Sequence, residues 1–464
     1  MTDEGTEDEA MVYAFPSGFQ WGVATSSYQI EGAADSRGVS VWDTFSQTPG
    51  RVLNGDTGAI ACDHVHRYRD DIALMADLGV RHYRFSISWP RIIPNGRGTV
   101  NEAGLAFYSE LVDTLLEFGI TPHATLFHWD SPQALEDEYG SWRSRQMAQD
   151  FADYAAIAVK HLGDRVTHWI TLNEIFCFTH LGYGIGHVPE MAPGTVVKTA
   201  KEVWQTSHYA LLAHGLGCQA IRAASPQPCQ VSLVDNYLAT VPLTDTPEDI
   251  AAAQSAFPLA GTNGGILYPA LTGSYSPELL DDLGENAPDI QTGDLETIHQ
   301  PLDSLGFNVY TGLYVRAADN ARGFEILPFP QGYPRLHMPW LHVVPDSLYW
   351  GVRHISNTLN RPELRVFISE NGCAAQDELT PAGKVLDLDR IQYLQQYLRS
   401  AHRAVQEGYP LMGYFLWSFL DNFEWAYGRD RRFGITYVDF ATQQRIPKAS
   451  YHWYARCVQE NRVM

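Results

Sequence analysis

Val-Phe-Ile-Ser-Glu-Asn-Gly, residues Val366–Gly372, is the stretch whose reading decides the fold. Apolar, mostly β-favouring residues run into Ser369, then a carboxylate at Glu370, then the turn signal Asn371-Gly372. That is the pattern of a buried strand and its stop. Glu370 thus falls at the carboxyl end of a strand, where a parallel α/β barrel keeps its active site. A second segment, Val166–Asn173, has the same shape and runs into Glu174. Alone, either glutamate reads as a solvated or ion-paired side chain. Brought together at one barrel mouth, two such carboxylates are the apparatus of glycoside hydrolysis.

Outward from these two segments the chain alternates. The first strand is read over Trp21–Ser26, with Gln29 beyond it. Helix 70–78 with Gly79 as its cap precedes strand Val80–Ser86, and helix 102–118 with Gly119 precedes strand Ile120–Phe127. Helix 146–162 leads to the Glu174 strand and helix 199–223 to strand Gln230–Val234. Residues 237–300 hold helices of their own before strand Asp303–Phe307. The proline-bearing stretch 317–345 reads as a long loop, and loops of that length in compact domains are usually functional. Helix 346–359 precedes the Glu370 strand, and helix 387–407 precedes strand Leu411–Leu416. Strand–helix alternation predicts a parallel sheet. The expectation is a single (β/α)8 barrel over residues 13–464 with long βα-loop insertions, preceded by a flexible acidic tail over 1–12.

Composition narrows the function. The 464-residue chain carries a net charge of -22, which disfavours nucleic-acid and anionic-membrane partners. The first nine residues hold five acids and no apolar run, so no signal peptide is read. Six scattered cysteines (62, 177, 218, 229, 373 and 457) fit reduced thiols, and the location read from this is cytoplasmic. The 12 Trp and 24 Tyr supply the flat faces on which sugar rings stack. Each predicted strand ends near a polar or aromatic side chain: Gln29, Arg84, His128, Glu174, Asn236, Asn308, Glu370 and Trp417. Such a mouth suits a neutral polyhydroxylated ligand, and no Gly-rich loop enters a helix at phosphate-binding spacing. His64-Val-His66 precedes the 70–78 helix and reads as structural, so no metal and no cofactor is expected. Cys177 reads as an inert packing thiol.

With Asn173-Glu174, Ser369-Glu370-Asn371-Gly372 and the N-terminal Phe15–Gly32 motif, the chain resembles glycoside hydrolase family one, the β-glucosidase family, over residues 13–456. Tyr83–Pro90, Trp417–Ala426, Arg432–Gly434 and Arg445–Tyr451 extend the resemblance. It implies Glu370 as nucleophile and Glu174 as acid/base, with Arg84, Asn308 and Tyr310 around the nucleophile. It further implies sugar contacts from Gln29, His128, Trp129, Asn173, Trp417, Glu424 and Trp425. Phe176, Asn236 and Trp340 fall on the aglycone side. Ile175 stands where proline is usual and Arg429 where tyrosine is usual; both are expected to bear on outer subsites.

The implied activity is a retaining exo-β-glucosidase acting on small β-linked oligosaccharides or aryl and alkyl β-glucosides. A β-galactosidase or β-fucosidase preference is the near alternative, and a carbohydrate-binding barrel without catalysis the distant one. A homo-oligomer is compatible with the sequence. Arg84 and Tyr310 are expected to hold the Glu370 pKa down while Glu174 keeps its proton, the two about 5–5.5 Å apart. Glu424 is expected to grip two sugar hydroxyls as a carboxylate and to repel a 6-phosphate.

Overall fold

The structure, a computed structural model, describes residues 13–358 and 361–464; the expected acidic tail lies outside them. Eight parallel strands close into a barrel: β1 (Gln20–Ala24), β2 (His82–Ser86), β3 (Thr121–Phe127), β4 (His168–Asn173), β5 (Gln230–Asp235), β6 (Ser304–Asn308), β7 (Arg365–Asn371) and β8 (Leu411–Trp417). They follow one another in chain order around the ring, and β1 closes it by pairing with β8 from Gln20↔Gly413 to Ala24↔Trp417. Helices lie between the strands, so the strands are covered on their outer face and filled on their inner face, which is why they read as near-continuous apolar runs. The fold is a (β/α)8 barrel.

Helix boundaries follow local chemistry. Helix His64–Leu78 stops at Gly79, whose φ of 89° is a left-handed cap that a side chain resists. Thr199 caps helix Ala200–Ala224 by accepting the Glu202 N–H at 3.3 Å. No helix among the described residues is long and apolar enough to cross a membrane.

Two expectations need correction. The helix read as 70–78 begins at His64, so the histidine pair occupies its first turn rather than preceding it. Buried His64 pairs with Asp71 at 2.8 Å, and His66 pairs with Asp63 at 2.6 Å. These ion-pairing side chains hid the helical start, because polar residues on a first turn leave no apolar period to read. The stretch 317–345 is not all loop. Strand Gly312–Ala317 ends in it and strand Phe324–Ile326 returns antiparallel, forming a small sheet with Ala239–Pro242 beside the barrel. The remainder, from 327 to 345, arches over the barrel mouth without regular strands or helices.

The barrel interior is layered. Near its amino end, His82, His123 and His168 crowd against Phe415, with ring centroids of His123 and His168 4.3 Å apart. Burial, together with the neighbouring histidines, lowers the His123 pKa well below the ordinary imidazole value, so this layer is neutral. Above it sits Arg84, and above that the polar groups of the mouth.

Gly372 ties the Glu370 strand to its neighbour. A Cβ there would lie 1.6 Å from the Trp417 carbonyl oxygen, so only glycine lets the backbone pass. Asn371, the preceding residue, donates to the Val309 carbonyl at 2.5 Å and accepts from the Tyr414 hydroxyl at 2.6 Å. The turn signal that ends the strand is thus also its clamp. Gly372→Ala is expected to lower stability by about 1–3 kcal/mol, read as a reduced urea midpoint. Because Trp417 is displaced with it, affinity for a glucose-like inhibitor should fall too; an unchanged midpoint contradicts the packing argument.

Candidate active site

The carboxyl ends of the strands open into a cavity of about 790 Å³ whose lining includes Glu174 and Glu370 together. Glu370 belongs to the last turn of β7, paired in register with Asn308 of β6. Glu174 follows β4 directly and takes φ 51°, a left-handed conformation unusual for a residue with a side chain. Trp129 and Trp425, also on the lining, are left-handed as well, with φ of 74° and 50°. Strain of this kind persists where surrounding packing imposes it, and it gathers at functional sites.

Arg84 is the hub. It projects from the middle of β2, not its end, and is 1% exposed. One guanidinium nitrogen donates to Glu370 Oε1 at 2.5 Å and to the Ser369 carbonyl at 3.2 Å; the other donates to Asn173 Oδ1 at 2.5 Å. Tyr310 donates its hydroxyl to Glu370 Oε2 at 2.7 Å. Asn308 donates to Asn173 Oδ1 at 3.0 Å and to Glu174 Oε1 at 2.7 Å, and its own Oδ1 accepts from Ser369 at 2.7 Å. One connected set of hydrogen bonds therefore joins the two glutamates.

The electrostatics follow from burial and like charge. Burial, and next the charge of Glu370, push the Glu174 pKa up to about 8. Glu370 is also raised above the ordinary glutamate value by burial, against the pull of Arg84 and Tyr310. The expectation that those partners hold it below normal is corrected: desolvation of a carboxylate at 3% exposure outweighs one guanidinium. The order of ionisation survives, because Glu370 has the cation and Glu174 does not. Glu424 is likewise pushed up to about 8, first by burial and then by the charges of Glu370 and Glu174. Burial and two like charges thus oppose the bare carboxylate expected at Glu424. Three buried acids around one space cannot all carry charge.

The deep end of the cavity is assembled from distant parts of the chain. Gln29 accepts from Ser26 at 2.6 Å and donates to Asn422 at 3.2 Å and Glu424 at 3.3 Å. Because Asn173 Oδ1 faces two obligate donors, its Nδ2 must be the group 3.2 Å from His128 Nε2. His128 then accepts there and carries its proton on Nδ1, a buried atom with no protein partner. Burial, and next the charge of Arg84, hold its pKa well below the ordinary value, so the ring is neutral. Trp417 stacks on His128 at 5.7 Å. Trp129 spends its indole N–H on the Asn173 carbonyl at 2.9 Å and packs on Trp425 at 4.5 Å, so it props the wall as well as lining it.

Toward the mouth, Trp340 is 43% exposed and stands edge-on to Tyr310 at 5.7 Å. Phe176 and Asn236 line the same side. Ile175 is wholly buried, and Arg429 lies over the Phe440 ring with its N–H on Asp56; neither lines the cavity, so their expected bearing on outer subsites is corrected to packing. Cys177 does more than pack, although burial keeps its thiol far from ionising: its Sγ lies 2.9 Å from Glu174 Oε2. The signal was its place three residues after Glu174, the spacing at which a residue just before a helix meets the helix's first turn. Asp235 under Glu174, accepting the Ile175 and Asn236 N–H groups, carried no sequence signal. Among the described residues no group of three or more His, Cys, Asp or Glu is placed to hold a metal.

Comparison with known proteins agrees with this geometry. The sequence model described as Glycosyl hydrolase family 1 matches residues 11–463. Beta-glucosidase A of Thermotoga maritima is 42% identical over 459 residues, spanning 97% of this chain and 99% of that one. A bifunctional beta-D-glucosidase/beta-D-fucosidase of Bifidobacterium breve is 40% identical over 476 residues, spanning 97% and 99%. The solved beta-glucosidase of Thermotoga maritima in complex with glucoimidazole superposes with a TM-score of 0.87 at 42% identity, covering 97% of this chain and 100% of that one. With the barrel, the two strand-end glutamates and matches along nearly its full length, the chain belongs to glycosyl hydrolase family 1.

Proposed function

We propose that the chain is a retaining, exo-acting β-glucosidase releasing terminal β-D-glucosyl units, with residues 13–464 working as one catalytic unit. The carrying observation is the asymmetry of the two glutamates: Glu370 has Arg84 and Tyr310 as partners, whereas Glu174 has neutral donors and a pKa near 8. One acid is suited to attack and the other to give a proton.

In the first step Glu370 attacks the anomeric carbon, the glycosidic bond breaks, and Glu174 gives its proton to the departing oxygen. Glycosylation removes the Glu370 charge, the second-largest cause of the raised Glu174 pKa. Glu174 then accepts a proton from water as that water attacks the anomeric carbon and frees Glu370. The Asn173 Nδ2 proton not directed at His128 is placed to bond the sugar 2-hydroxyl, a contact that strengthens in the transition state. Exo action is supported by the burial gradient from Gln29 and His128, 0% and 2% exposed, to Trp340 at 43%. A blind deep end and an open mouth fit a chain terminus. The Bifidobacterium breve relative supports acceptance of β-D-fucosides as well.

Glu370→Ala should lower kcat/KM for nitrophenyl β-glucoside by at least about 10⁴-fold, with the fold intact by circular dichroism. Retained hydrolysis sinks the assignment, as does inverted anomeric stereochemistry in the first sugar released, and a barrel that only binds glucosides would show neither activity. The pH profile of kcat/KM should be bell-shaped. Glu174 must be protonated in the free enzyme, so its limb falls as pH rises through about 8, and the acid limb falls as Glu370 takes up a proton. A third test uses Glu424. A 6-phosphate set against this buried acid must bury its own charge with no cation beside it among the described residues, and it further opposes ionisation of the three glutamates. A 6-phosphoglucoside should therefore be turned over at least about 100-fold more slowly than the plain glucoside. Faster turnover of the phosphorylated sugar contradicts the reading of the deep end.

A further inference from the structure

The two oxygens of Glu174 face different kinds of partner. Oε1 accepts from the Asn308 amide at 2.7 Å. That amide cannot turn over without breaking its bonds to Asn173 and Ser369, so Oε1 always meets a donor, which favours the more basic carbonyl oxygen there and leaves Oε2 as the better seat for the acid proton. Oε2 has one protein partner, the Cys177 thiol at 2.9 Å. A thiol holds one proton and has acceptor lone pairs, so it can face a carboxylic acid or a carboxylate by rotating about one bond. On its other side the sulfur receives the Asn236 Nδ2–H at 3.5 Å, from a residue that lines the aglycone side of the cavity. Burial keeps the thiol itself far from ionising, so it remains S–H through the cycle.

We propose that Cys177 is a positioning residue of the acid/base step: its thiol leaves the catalytic proton on Glu174 Oε2, and once that proton has gone it turns its own S–H onto the carboxylate. The inference rests on Glu174 being the acid/base. No proton leaves sulfur; the proton on Oε2 passes to the glycosidic oxygen, and the S–H bond only changes direction. The other groups acting on Glu174 are fixed: Glu370 on β7 and Asp235 on β5 oppose its ionisation, Asn308 on β6 favours it, and Arg84 reaches only its neighbour Asn173. Glu424 stands across the cavity. Cys177 is therefore the adjustable partner, and deleting its donor disfavours the ionised form.

The test compares Cys177→Ala and Cys177→Ser with wild type, measuring pH profiles of kcat/KM for phenyl β-glucoside and 2,4-dinitrophenyl β-glucoside. Cys177→Ala should move the basic limb upward by about 0.5–1 pH unit and lower kcat/KM for the phenyl glucoside about five- to tenfold. The dinitrophenyl glucoside, whose leaving group needs no proton, should change less than about twofold. Cys177→Ser, which keeps a hydroxyl able to donate and accept, should restore both the limb and the phenyl rate. An unmoved limb in the alanine variant, equal shifts in alanine and serine, or parallel losses on both substrates each overturn the positioning role. Wild type that hydrolyses neither glucoside overturns the glucosidase reading itself, and this inference with it. Wild type active on both, with a superimposable alanine profile, overturns this inference alone.

Discussion

A guanidinium inside a barrel is an expensive thing to place. Arg84 stands at 1% exposure, and removing a charge from water costs several kcal/mol before any partner offsets it. Its repayment comes from Glu370 on β7, Asn173 on β4, the Ser369 carbonyl and Thr125 on β3. Four strands are thus held to one side chain at the level where the chemistry begins. Loss of Arg84 would leave Glu370 as an uncompensated buried charge, so the same contact that organises the mouth also decides which acid ionises. Stability and reactivity are not separable at this point of the structure.

Around that contact the pocket behaves as a shared-charge system. Glu174, Glu370 and Glu424 are each raised by burial; the charge of Glu370 further opposes ionisation of Glu174 and Glu424, and Glu174 opposes that of Glu424. Glu370, with the guanidinium beside it, is the acid best placed to carry charge. Covalent attachment of a sugar to Glu370 removes that charge and lowers the cost of ionising Glu174. The mechanism therefore needs no change of backbone between its two halves; the chemistry of the first step resets the acidity required for the second.

The supporting shell is built to prevent drift. Tyr310 offers its hydroxyl to Glu370 while its carbonyl accepts from Tyr393 and Tyr397 at 2.9 and 2.8 Å, so the helix Leu388–Gln406 fixes the Glu370 carboxylate from outside the barrel. Asp421, next to the deep end, is held by Lys448 at 2.6 Å and by Arg432 at 2.6 Å. Arg432 and Lys448, from the motifs Arg432–Gly434 and Arg445–Tyr451, thus anchor the loop that carries Glu424, while Phe433 beside Arg432 lines the cavity.

The sequence alone determined the order of strands and helices and the strand-end placement of Glu174 and Glu370, because those depend on local period and turn residues; the deep-end residues came only through the family resemblance. It placed the Asn371-Gly372 turn for the right local reason, though not for the long-range one, which is the passage of Gly372 beneath Trp417. Tertiary structure decided the rest. The beginning of the helix at His64 depends on an Asp71 partner that Arg445, 374 residues away, also holds. The acidity of Glu370 is a contest between burial and an arginine 286 residues distant. The part played by Cys177 depends on which oxygen of Glu174 is already taken by Asn308. Burial and hydrogen-bond occupancy are sums over neighbours brought from far along the chain, and no window of sequence contains those neighbours.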